Sequence, residues 1–211
     1  MRVPALLAFA TVSLAGCGAP AVSLGGGARE YVATDYSNVL ERWTRTESLL
    51  LFDELTRALT VTATFESWDF RWAYVIRYGQ DFRVTIAERQ EMLRRQLQKT
   101  RETHDVFLAL YGSADKQNDL TRPDSAWIVR LIDSTGNETP PMDIEAVRNP
   151  GALVARFYPY NNVWRKAFRV RFPTMTSDGH ATIAPTAEWF GLRFAGPLGN
   201  TDLTWQLVGE R

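Results

Sequence analysis

The sequence predicts an α+β chain: an antiparallel β-sandwich, immunoglobulin-like, with an N-terminal helix and a helical pair inserted between early strands. Three observations carry that expectation. From His104 onward, five strand-length runs alternate with turn signals. Before them, Thr85-Ile-Ala-Glu88 has capping-box spacing at the head of a long helical pattern. Trp164 to Phe172 then alternates strictly, with Trp164, Phe168, Val170 and Phe172 expected inward and Arg165, Arg169 and Arg171 outward.

The elements follow in order. Asp35 is a plausible N-cap for a short helix with Tyr36, Val39, Leu40 and Trp43 at helical spacing. Leu49 to Phe52 and Leu59 to Phe65 read as strands; in the second, Val61, Ala63 and Phe65 alternate with threonines. Trp68 to Tyr78 carries two conflicting signals. Its aromatic residues alternate as in a strand, but Ser67 as N-cap, Asp69 in the first turn and Gly79 at the stop favour a helix. The capping-box helix runs to about Arg101, with Ile86, Leu93 and Leu97 as a thin apolar stripe, and His104 is expected at its C-terminal end. The β runs are Val106–Tyr111, Ala126–Ile132, Trp164–Phe172, Trp189–Phe194 and Leu203–Leu207. Between the second and third, Asn149-Pro150 can cap a short helix before Tyr158-Pro159.

Composition excludes whole classes of function. With 24 basic against 24 acidic side chains the chain lacks the positive excess of a nucleic-acid binder, so no nucleic-acid partner is expected. One Cys cannot form an internal disulfide, and two His in 211 residues leave little for a metal cage. No metal, cofactor or catalytic residue is expected, and no nucleophile-elbow, zinc-protease or P-loop motif is present.

The N-terminus is the most specific feature. One positive charge at Arg2 precedes an apolar run from Ala5 to Leu14, too short to span a bilayer as a mature helix. The run ends Leu14-Ala15-Gly16-Cys17. This resembles the lipobox of bacterial lipoproteins. The resemblance implies a signal peptide over residues 1–16, cleavage before Cys17, and lipid on the Cys sulfur and amine. It further implies a membrane partner reached through that lipid anchor. Gly18 in place of Asp implies, by the same family analogy, the outer membrane. Residues 17–30 are expected to be the lipidated Cys and a flexible tether, loosened by Gly25–Gly27, before one mixed domain over 31–211.

Candidate binding residues fall in three groups. Trp68, Phe70, Trp72, Tyr74 and Tyr78 form the densest aromatic run, suited to stacking on sugars, lining an apolar groove, or packing a helix onto a sheet. Arg94 and Arg95 lie on the long helix, and Arg165, Arg169 and Arg171 on the outward face of a strand. Either basic face suits anionic headgroups, peptidoglycan carboxylates or an acidic envelope protein. Were carboxylates to act in catalysis, Asp69 and Asp81 beside the aromatic run would be first choice. Finally, Gly196-Pro-Leu-Gly-Asn-Thr-Asp-Leu203 resembles the loop-and-strand motif of the outer-membrane receptor that inserts lipoproteins, with Leu198 matching its exposed Leu. That family carries the motif early in the chain, and here it lies near the end.

The expected function is a lipid-anchored envelope protein acting as a non-enzymatic binding or scaffolding module. Two alternatives stand beside it: an acyl-chain or lipoprotein carrier with an apolar groove, and a carboxylate-dependent enzyme of cell-wall glycan.

Overall fold

A computed structural model describes residues 19–51, 56–112 and 119–208. Among the described residues there are two antiparallel sheets. Strands β1 (Thr44–Leu51), β2 (Thr56–Phe65), β3 (Thr103–Gly112), β6 (Asp143–Val147) and β7 (Lys166–Pro173) form one, in the order β1-β2-β3-β7-β6. Strands β4 (Ile128–Asp133), β5 (Glu138–Thr139), β8 (Trp189–Gly196) and β9 (Gly199–Gln206) form the other, in the order β5-β4-β8-β9. Helix α1 (Tyr36–Trp43) precedes β1, the pair α2 (Trp68–Asp81) and α3 (Ile86–Glu102) separates β2 from β3, and α4 (Ala152–Phe157) precedes β7. The strand order departs from that of immunoglobulin domains. There the third strand crosses to the second sheet; here β3 stays beside β2, because α2 and α3 return the chain to the edge it left.

Alternation explains the core. Val61, Ala63, Phe65, Val106, Leu108, Phe168, Val170 and Phe172 point from the first sheet toward Leu131, Phe190, Leu192, Phe194, Leu203 and Trp205 of the second, all of them buried. Phe65 meets Phe190 at 4.7 Å between ring centroids, and Phe190 stacks on Trp205 at 5.3 Å. The sheets therefore enclose a filled aromatic layer rather than a chamber. Where β1 and β9 come together, the Arg45 guanidinium donates to the Thr204 carbonyl at 2.9 Å and lies over Trp205. The β8–β9 hairpin turns at Gly196, where a Cβ would meet the Ala126 carbonyl oxygen at 2.1 Å, so glycine is required by close backbone approach.

End signals outweigh alternation in α2. The Ser67 side chain accepts from the Phe70 amide at 3.1 Å, and the residues run helical to Asp81. In α3 the Thr85–Glu88 capping box forms as expected. Three expectations need correction. His104 is not a helix terminus but the second residue of β3, since α3 ends at Glu102 and passes straight into the strand. Trp164 does not point inward: β7 begins at Lys166, and Trp164 is 77% exposed in the preceding turn, where its amide donates to Asn162 Oδ1 at 3.0 Å. Residues 19–30 do not trail from the domain. Val22 is 1% exposed and forms a parallel bridge with Leu207, its amide donating to the Gln206 carbonyl and its carbonyl accepting from the Val208 amide, both at 2.8 Å. Among the described residues no helix is long and apolar enough to cross a membrane.

Candidate functional site

From Val22 the chain runs as a strap to the first turn of α2. The Trp68 indole donates to the Gly27 carbonyl at 2.7 Å, and Gly26 lies against the indole face. Gly27 has φ +125°, a conformation that glycine alone adopts readily, so the run that suggests looseness instead supplies a bend. Asp69 fastens the strap's far end. Its carboxylate accepts from the Tyr31 hydroxyl and, at 2.8 Å, from the Trp43 indole; Arg42 and Arg29 lie 3.3 and 3.4 Å away. Burial first, and then the Asp69 carboxylate, push the Tyr31 hydroxyl pKa above its ordinary value.

Beneath the strap is a cavity of about 620 Å³ at the open end of the sandwich. Leu24, Phe65, Trp68 and His104 supply its apolar and ring surface; Ser67, Thr100 and Thr103 supply hydroxyls; Arg101 and Glu66 are its charged residues. Phe65 is buried against Phe190 and Trp205 of the second sheet, and His104 lies next to it in the cavity lining, their rings 5.6 Å apart. Burial lowers the His104 pKa to about 4, so the imidazole is neutral at pH 7. The three hydroxyls are oriented by local backbone: Ser67 caps α2, Thr100 donates to the Leu97 carbonyl at 2.7 Å, and Thr103 donates to the Lys99 carbonyl at 3.4 Å. Their free lone pairs can accept from a ligand. Among the described residues no hydrogen bond or ion pair engages the Arg101 guanidinium or the His104 imidazole. On the other side of Trp68 a second recess of about 490 Å³ continues over α3, past Arg94, Leu97, Gln98 and Arg101.

A separate charged recess of about 310 Å³ lies where α2 and α3 meet the outer face of β3 and β7. Arg71, 3% exposed, is its centre. It donates to the Glu66 carbonyl at 3.0 Å, to Gln96 Oε1 at 2.6 Å and to Asp105 Oδ2 at 2.6 Å, and lies 3.3 Å from Glu66 Oε2. Glu66 Oε1 also accepts from Tyr158 at 2.8 Å and from Arg169 at 3.0 Å. These carboxylates serve as counter-ions to the buried Arg71 guanidinium and the partly exposed Arg169, an arrangement that fixes helix to sheet.

The expected residues are dispersed. A period-two aromatic run wound into a helix is spread around its axis. Phe70 is buried, while Tyr74 and Tyr78 continue its side and pack on Phe157 at 4.4 and 6.2 Å; Trp72 is half-buried, and Trp68 reaches the cavity rim. Arg94 is exposed and paired with Glu91 at 2.7 Å, with Arg95 3.5 Å from the same carboxylate. Arg165 donates to Thr62, Arg169 to Glu66 and Arg171 to Asp143, so the strand's basic face is internally paired. Asp81 bridges Arg77 and Arg156 on the surface. Leu198 is half-buried against the core rather than projecting. Cys17 lies outside the described residues. Among those described, no group of three His, Cys, Asp or Glu side chains could hold a metal. Sequence reasoning passed over Leu24, Thr100, Thr103 and Arg101 as cavity residues, because only the docking of the strap brings them together.

No family model, curated protein or solved structure matches this chain.

Proposed function

We propose that the chain is a lipid-anchored protein of the cell envelope, held through Cys17 at the outer membrane, and that it works as a non-enzymatic binding module. The observation that supports a binding role best is the strap-roofed cavity. Its volume lies in the range of ligand sites, and it combines rings with unengaged polar groups at Arg101 and His104. The strap that roofs it leads directly toward Cys17, so the binding end of the domain stays close to the anchor. From Pro20, whose carbonyl accepts from Arg45 at 3.3 Å, three residues reach Cys17, at most roughly 11 Å of extended chain.

Two measurements in cells test this reading. Cys17→Ala is expected to abolish metabolic labelling with a fatty acid and to shift the protein out of the outer-membrane fraction. Unchanged labelling overturns the anchor. A photo-crosslinking residue at position 24, which lines the cavity and leaves Arg101 and His104 in place, is expected to capture an envelope component that the same residue at Tyr111, far along β3, does not. Equal capture at both positions overturns the assignment of the binding role to this cavity.

A further inference from the structure

The reading of the cavity as a binding site can be taken further, to the chemistry of what it binds. We infer that the cavity beneath the strap takes a carboxylated saccharide, one acidic sugar ring of a larger glycan. This inference rests on the binding role proposed above, and it needs no lipid anchor to be tested.

Three properties of the lining select that class. First, ring surface from Trp68 and the neutral His104 imidazole, which is backed by the buried Phe65 ring, offers flat surface suited to the C–H side of a sugar. Second, Ser67, Thr100 and Thr103 place acceptor lone pairs around the same space, and the His104 imidazole offers one donor and one acceptor. A fatty acyl chain would leave these groups unpaired on burial, a cost that a hydroxylated ligand avoids. Third, of the two charged residues in the lining, Glu66 is already paired with Arg71 and Arg169, whereas Arg101 has no carboxylate bonded to it among the described residues. A planar fork of donors matches a carboxylate bidentately. Nearby Arg94 is already committed to Glu91, so the cavity presents one cation to one anion rather than a polycationic surface.

The strap makes the site selective for a ring at a chain end or a bend. Gly26 and Gly27 cross the Trp68 face, and the second recess over Arg94 and Gln98 gives the remainder of a glycan a path along α3.

Titration of the purified chain, with its mature N-terminus at Cys17, tests the inference by calorimetry and by Trp fluorescence. The probes are N-acetylmuramic acid, glucuronic acid, neutral N-acetylglucosamine and laurate. Both acidic sugars are expected to bind at least about tenfold more tightly than the neutral one, and Arg101→Gln is expected to remove that difference while leaving the melting temperature unchanged. Preference for N-acetylmuramic acid assigns the source to wall glycan, and preference for glucuronic acid to an acidic envelope polysaccharide; either outcome supports the class. Laurate binding more tightly than any sugar, no sugar binding, or an acidic preference that survives Arg101→Gln overturns it. Loss of the proposed anchor would show instead in lipid labelling of Cys17, which these titrations do not touch.

Discussion

Glu66 and Asp69 are three residues apart at the head of α2, and both are almost fully buried, yet they hold different parts of the molecule together. Glu66 turns to the outer face of the large sheet and meets Arg71, Arg169 and Tyr158, joining α2 to β7 and to the segment after α4. Asp69 turns to the other side and meets Tyr31, Arg29, Arg42 and Trp43, joining the strap to α1 and α2. The lesson is that one helix start serves two seams. The first seam is between elements of the fold itself. The second fixes the strap to those elements.

Substitutions can sharpen that contrast. Glu66→Ala is expected to cost the most, roughly 3–5 kcal/mol, because it leaves the Arg71 and Arg169 guanidinium groups short of a buried counter-charge. Chemical denaturation measures this directly, and a loss below about 1 kcal/mol would mean that Asp105 alone neutralises Arg71. Asp69→Ala is expected to cost less, about 2 kcal/mol, for the orphaned Trp43 indole donor and the lost strap contacts. Its diagnostic is local: amide exchange should accelerate across residues 22–31 while β3 and β7 keep their protection. Equal acceleration in the strands would erase the distinction between the two seams. Asp81 offers a third carboxylate on the same helix, this time on the surface. Its hydrogen bond from Arg156, followed by that from Arg77, holds its pKa below the usual carboxylate range. Because water screens the pair, Asp81→Ala should leave stability within the error of denaturation. A clear loss there would show that the α2–α4 contact contributes more than its exposure implies.

Much of the architecture was readable along the chain because it rests on local signals. The Thr85–Glu88 capping box, the Ser67 cap and the alternation from Phe168 to Phe172 each specify their element within a few residues. The errors arose where distant contacts decide. Gly25–Gly27 signals flexibility in isolation, and only Trp68 and Leu207 turn those residues into a docked strap. Trp164 continues an alternation that the Asn162 turn interrupts. The Glu66–Arg71–Asp105–Arg169 network draws on the link before α2, on α2, β3 and β7, so no window of sequence contains it. The cavity was hidden for the same reason: Leu24, Trp68 and Arg101 become neighbours only after the strap is in place.

The pairing of Val22 with β9 has a mechanical consequence. Because the bridge to Leu207 is parallel, tension drawn along the strap from its N-terminal end acts along the strand axis. It strains the two Val22 backbone bonds together, in shear, instead of opening them one after the other. The Gly27–Trp68 bond and the Asp69 cluster lie behind that clamp and feel the force only after it yields. A tug on the N-terminus is thus absorbed at the margin of the small sheet, and the roof of the cavity stays closed until the clamp slips.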